Sequence, residues 1–219
     1  MLSAETPDLE AARRSVDRMI KDATRAGEII NRIRALVQKT PPQKEWVDIN
    51  ETITEVIAMA SSEVQRSHVF FRTELANHLP FLRGDRIQLQ QVLLNLIINA
   101  VEAMSRLSGG PRQLRVSSQE VTEVTDESND CTPPRYEALS HGEATHILIA
   151  IRDSGPGMDP KDVERIFDAF YTTKQQGLGM GLAIGRSIVE AHGGRLWAAN
   201  TGQGAVFQLA LPIRDGGRA

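Results

Sequence analysis

The stretch Leu93–Met104, LLNLIINAVEAM, constrains this chain more than any other. It reads as the middle of a helix that begins at Asp85, with Asp85 as cap and Gln88 three residues on in a capping-box arrangement. Leu89, Val92, Leu93, Leu96, Ile97, Ala100 and Met104 make a wide apolar face, so the helix belongs in a core. Yet Gln88, Gln91, Asn95, Asn99 and Glu102 follow in steps of three or four and form one narrow polar stripe. An amide in apolar surroundings costs on the order of 1–3 kcal/mol if its hydrogen bonds are unmade. The stripe therefore faces water, a backbone partner or a ligand. Solvent faces usually carry Lys and Glu, and two amides one turn apart better suit a ligand. An Asn carbonyl oxygen suits Mg²⁺, which fills its octahedron with hard oxygens, phosphates and waters. The neighbouring amide can donate to a phosphate.

Such a helix needs elements to cover it. Upstream, Leu9, Ala12, Val16, Met19, Ala23, Ala26, Ile30, Ile33 and Val37 alternate steps of three and four, a heptad seam sustained for about four heptads. It starts at Thr6-Pro7 and stops at Lys39-Thr40-Pro41-Pro42, since Pro cannot continue a helix. A long helix over residues 1–42 and a domain over 43–219 are expected. In the latter, Trp46–Ile49 reads as a strand, Asn50 to about Gln65 as an amphipathic helix and Val69–Leu75 as a strand. Leu114–Val121 and His146–Asp153 read as strands, separated by a polar segment, about residues 121–145, with no apolar period: a long mobile loop. A short helix Pro160–Phe167, a helix Leu182–His192 and strands Arg195–Ala199 and Val206–Leu211 follow. Mixed elements of this kind predict a two-layer α/β sandwich.

Composition excludes several classes. The 219 residues are 41% hydrophobic and 24% charged, with net charge −3, so no basic field argues for nucleic acid or an anionic membrane. One cysteine, Cys131, gives neither a disulfide framework nor a cysteine metal cluster. No unbroken apolar run approaches the ~20 residues of a membrane span, and the N-terminus lacks a signal-peptide core. The chain reads as cytoplasmic, alone or as the cytosolic part of a longer membrane-bound sensor.

Two glycine motifs lie downstream. In RDSGPGMD, Asp153 ends a strand before Gly155 and Gly157. A carboxylate there accepts hydrogen bonds and suits an exocyclic amine such as adenine N6, while glycines let the backbone approach a flat ring. The same pattern also describes an Asx-rich turn. In TTKQQGLGMGLAIGRSIVEAHGG, Gly177, Gly179 and Gly181 precede a helix starting at Leu182. Their amides and the helix N-terminus make an anion site, with Lys174 as a point charge and Thr172 and Thr173 as hydroxyls. No Gly-Lys-Ser/Thr run follows, so this is not a Walker A loop.

The order Asn95/Asn99, DSGPGM, IFDAFYTTK, GLGMGLAIGRSIVEAHGGRLW and GQGAVFQLALP resembles the catalytic ATP-binding domain of bacterial sensor histidine kinases, with its N, G1, F and G2 boxes. The resemblance covers roughly Trp46–Pro212. It implies a Bergerat-type fold, a mixed sheet with helices on one face, binding ATP and Mg²⁺. Asn99 would be the Mg²⁺ ligand and, with Lys174, catalytic; Asn95 would be a second metal or phosphate contact. Asp153, Gly155 and Gly157 would hold adenine. Thr172, Thr173, Lys174, Gly177, Gly179, Gly181 and Leu182 would line the phosphates under a lid, with Phe167 and Phe170 at its base. The heptad helix resembles the second helix of that family's dimerisation and phosphoacceptor hairpin, and the acceptor histidine box is not found in the chain. The γ-phosphate is thus expected to pass to a histidine on a separate hairpin and on to a response regulator receiver domain, within a homodimeric full-length kinase. A nucleotide-binding regulatory module and an anti-sigma-type serine kinase on the same fold are the alternatives.

Overall fold

The structure is a computed structural model that describes Ser15, Val16, Met19 and residues 44–105, 107, 109–124, 135–138, 145–174 and 178–213. The chain divides into two compact units, Met1–Thr40 and Pro41–Ala219. In the first, Ser15, Val16 and Met19 are helical and exposed. The rest of the expected heptad helix lies outside the described residues.

The second unit opens with strand β1, Glu45–Val47, and helix α1, Ile49–Arg66. Asp48 starts α1: its Oδ1 accepts from Asn50 N–H at 2.9 Å and Glu51 N–H at 3.1 Å, two of the donors a helix start leaves unpaired. Strands β2, Phe70–Leu75, and β3, Leu82–Gly84, lead to helix α2, Arg86–Ser105. Then come β4, Gln113–Val124; β5, Arg135–Ala138; β6, His146–Asp153; helix α3, Gly181–Ala191; β7, Arg195–Thr201; and β8, Gly204–Pro212. The main sheet runs β2-β4-β6-β8-β7, with β5 on β4. β2 is parallel to β4 and the other pairs are antiparallel, so the sheet is mixed.

Alternation along the central strand sets the layers. Ile147, Ile149 and Ile151 join the main core with Leu89, Leu93, Leu96 and Ile97 of α2 and the apolar face of α1. Leu148 points the other way, with Val121, Ala210 and Trp197. The three helices pack on the sheet through α1 against β2, α2 against β6 and α3 against β7. The result is the expected two-layer α/β sandwich with helices on one face. By length and a mean hydropathy of 1.2, the 20-residue α2 is apolar enough to cross a membrane, which qualifies the composition argument. Here its apolar side is spent in the core.

Three elements differ from the sequence expectation. β3 was not anticipated; it pairs antiparallel with β1, Trp46 opposite Arg83, whose guanidinium lies 5.5 Å from the indole centroid. The helix expected over Pro160–Phe167 is two 3₁₀ turns, Pro160–Asp162 and Arg165–Phe167. Each closes on an i to i+3 bond, Asp162 N–H to Asp159 O and Asp168 N–H to Arg165 O, the geometry of short connectors. The polar segment after Val121 is not all loop. β4 runs on to Val124, past its last pair with β6 at Val121, and β5 pairs with that overhang, Thr122 opposite Glu137 and Val124 opposite Arg135. The remainder of that segment, where mobility was expected, lies outside the described residues.

Candidate functional site

α2 carries the polar stripe to the edge of the core, and three segments close on it. Asn99 Nδ2 donates to Asn95 Oδ1 at 3.5 Å, a long bond. Asn95 Nδ2 is buried with no partner, the only such side-chain atom among the described residues. At the N-terminal end of the stripe sits α3. A Cβ on Gly181 would come 2.5 Å from Asn95 Oδ1, so a side chain there would displace the Asn95 amide. Met180 caps α3 without a side-chain hydrogen bond, which leaves the first-turn amides to other acceptors. Leu182 follows, partly buried against the core.

Beside Asn99 lies Lys174. Its Nζ donates to Asn99 Oδ1 at 2.7 Å and pairs with the Glu102 carboxylate. Thr172 Oγ1 accepts from Lys174 N–H at 3.1 Å, and Thr173 is exposed. The two ends of this segment are tied: Phe170 N–H donates to Gly179 O at 3.0 Å. Gly179 has φ +65°, and a Cβ there would lie 2.4 Å from Tyr171 O, so the tie requires glycine. Gly177 lies outside the described residues. Phe167 is buried, edge-on to Phe207 at 6.5 Å and under the Arg186 guanidinium at 4.6 Å. Phe170 is 73% exposed with φ +69°. Arg165 stacks 4.6 Å from the Tyr171 ring. The hydrogen bond with Asp162, then burial, raise the Tyr171 hydroxyl above its ordinary value.

The third segment follows β6. Asp153, 3% exposed, ends the strand. Its Oδ1 accepts from Gly155 N–H at 2.8 Å and Ala205 N–H at 3.4 Å. Burial pushes the carboxyl above its ordinary value, and these two amides pull it partly back. The Asp-x-Gly turn packs on α2: a Cβ on Gly155 would lie 2.7 Å from Asp153 Oδ1 and 3.5 Å from Ala103 Cβ. Gly157 has φ +74°. Asn200 of β7 clamps the next residue, accepting from Met158 N–H and donating to Met158 O, both at 2.7 Å.

So Asn95 meets Gly181, Asn99 meets Lys174, and Ala103 meets Gly155. From Asn95 to Ala103, eight helical steps, is about 12 Å, with anion-binding groups at one end and a buried carboxylate at the other. Sequence reasoning missed Asn200 and the backbone of Ala205, because their roles depend on strand pairing across the sheet. Glu102 belongs to the stripe, and its partner Lys174 comes from a segment 72 residues away. A separate concavity of about 440 Å³ between His68, Phe70, Leu107, Pro111 and Arg112 shares no residue with this site.

A buried, orphaned amide beside a carbonyl oxygen, uncapped helix amides, a lysine and a buried carboxylate thus line one face of α2. Comparison with known proteins supplies the family. Residues 84–215 match the family described as histidine kinase-, DNA gyrase B- and HSP90-like ATPase. The chain is 35% identical to the sensor protein FixL of Bradyrhizobium diazoefficiens over 96% of this chain and 37% of that protein. It is 31% identical to the sensor histidine kinase TmoS of Ectopseudomonas mendocina over 95% of this chain and 20% of that protein. The nucleotide-free catalytic domain of histidine kinase ThkA superposes with a TM-score of 0.61 at 28% identity, covering 78% of this chain and 95% of that one. The chain belongs to the histidine kinase-, DNA gyrase B- and HSP90-like ATPase family, and within it to the ATP-binding domains of sensor histidine kinases. It spans 20% and 37% of the length of the two curated relatives named.

Proposed function

We propose that this chain binds ATP with Mg²⁺ along the α2 stripe and transfers the γ-phosphate to a histidine on a separate helical hairpin. A response regulator receiver domain then takes the phosphoryl group from that histidine. The observation that carries the reading is Asn95 Nδ2, buried and without a partner. Such a donor costs on the order of 1–3 kcal/mol unless something accepts from it, and a phosphate oxygen does. The donor set fits the metal as well: Asn99 Oδ1 is a neutral hard oxygen, and it already receives a cation in Lys174. Mg²⁺, when bound, supplies neutralisation of phosphate charge.

The chain's own residues do the rest. Asp153, ionised, accepts from the exocyclic amine of adenine and rejects a ring that presents a carbonyl there. Gly155 and Gly157 line the ring. Lys174, Thr172, Thr173, Gly179, Gly181 and Leu182, with Gly177, surround the phosphates and hold the γ-phosphate for in-line attack by the acceptor imidazole. Residues 1–42 supply the second helix of a dimerisation hairpin in a homodimeric kinase that acts in the cytoplasm. Identity to sensor histidine kinases over 95% of the chain favours a histidine acceptor over the serine of an anti-sigma-type kinase.

Incubation with labelled ATP, Mg²⁺ and a separately produced acceptor hairpin tests this. Acid-labile label on the hairpin histidine is the expected result. Acid-stable label on serine, or nucleotide binding with no transfer, would point to the two alternatives.

A further inference from the structure

Lys174 has the charge to meet a phosphate, yet its ammonium is engaged on α2. It donates to Asn99 Oδ1 at 2.7 Å and pairs with Glu102. Asn99 Oδ1 is the oxygen assigned to Mg²⁺ above. One carbonyl oxygen does not hold an ammonium and a divalent cation together, because the two cations repel at contact distance. Glu102 stands three residues after Asn99 on the same side of the helix. Among the described residues its carboxylate has one hydrogen-bonding partner, Lys174. Neither end is deeply buried: the side chains of Lys174 and Glu102 are 31% and 46% exposed.

We infer that Glu102 is a positioning residue for Lys174. It holds the ammonium on Asn99 Oδ1, so that metal-bound nucleotide enters by exchange of cations: Lys174 gives up Asn99 to the divalent ion and turns to the phosphates. This rests on the nucleotide site proposed above. The hold is weak, since a half-exposed ion pair is worth only a few-fold in an equilibrium.

Four versions of the 219-residue chain test it: wild type, Glu102→Gln, Lys174→Met and the double variant. Calorimetric titration with Mg-ADP should show Glu102→Gln tightening binding about two- to fivefold. That gain should vanish when Lys174 is already Met, because Glu102 acts through Lys174. Without nucleotide, acetylation by an N-hydroxysuccinimide ester should modify Lys174 faster in Glu102→Gln than in wild type. Lys161, whose side chain is 74% exposed, serves as internal reference. An equal gain in both backgrounds would reduce Glu102 to a charge that repels phosphate and overturn the inference. Unchanged or weakened binding in Glu102→Gln would overturn it too. A wild-type chain that fails to bind Mg-ADP would instead overturn the proposed function, and the acetylation rates would still decide whether Glu102 holds Lys174.

Discussion

Asp153 is placed where ionisation is costly, and the proposed role needs it ionised. Burial raises its carboxyl value, and the Gly155 and Ala205 amides only partly offset that. An acid whose folded value lies above its unfolded one binds its proton more tightly in the folded chain. Its contribution favours folding below the ordinary value of 3.8 and is lost as pH rises through the raised value. Asp153→Asn keeps an oxygen for the two amides and removes the charge. It should therefore melt higher than wild type near pH 7, with the advantage shrinking on acidification and gone below the ordinary value. Thermal scans of both proteins across that range check this, and a variant less stable at neutral pH would show that the two amides outweigh burial. Nucleotide affinity should move the opposite way. Asp153→Ala and Asn99→Ala should each weaken Mg-ADP by about ten- to hundredfold, the size of one lost charge-assisted contact. Calorimetry in which both variants bind like wild type would remove the site from α2 and β6.

At the next scale, one imidazole ties two helices of the site. Asp85 N–H donates to His192 Nε2 at 2.9 Å, so the ring proton is on Nδ1, which donates to Ile188 O at 2.8 Å. The start of α2 is thereby fixed to the end of α3. Gly84 makes room: a Cβ there would sit 2.8 Å from His192 Cδ2. His192→Ala orphans Asp85 N–H and should cost about 1–3 kcal/mol. Gly84→Ala should cost a similar amount by pushing the ring away, and the double variant less than the sum, since both lose one contact. Denaturant midpoints at unchanged m-value measure all three. The tie also explains what the sequence could and could not reveal. Asp85 does cap α2, with Gln88 N–H on its Oδ1 at 3.1 Å. The return half of the capping box is made by His192, 107 residues away, which no local spacing can encode. β3 was missed for the same reason: three residues, Leu-Arg-Gly, carry no period, and only pairing with β1 makes them a strand. By contrast α1, α2 and α3 each bury one apolar face, and that 3.6-residue period was legible directly. The residues of the stripe and of both glycine motifs could be named because their chemistry is written in their type. Their mutual contacts, Gly181 at Asn95 and Gly155 at Ala103, follow from the packing of α3 and β6 on α2.

For the molecule as a whole, the decisive question is where a phosphoryl group can go. The chain has five histidines. An acceptor needs an exposed ring nitrogen on a rigid element, in line with the γ-phosphate, and a carboxylate to orient or deprotonate it. His192 is 4% exposed and both its nitrogens are engaged. His68 and His78 are exposed, but they sit in turns flanking β2 at φ +53° and +58°, at the edge of the sheet. His146 opens β6 with its Nδ1 2.8 Å from Thr145 Oγ1, at the end of the strand opposite Asp153. His141 lies outside the described residues. None of the five is followed by an acidic residue; the next residues are Val69, Leu79, Gly142, Ile147 and Gly193. The chain incubated alone with labelled ATP and Mg²⁺ should therefore bind nucleotide and remain unlabelled, while an added acceptor hairpin becomes labelled. Phosphopeptide mapping under alkaline conditions, which preserve phosphohistidine, reads the outcome. Stable label on any of these five side chains would mean that the phosphoryl group leaves the α2 stripe in a direction this geometry does not provide.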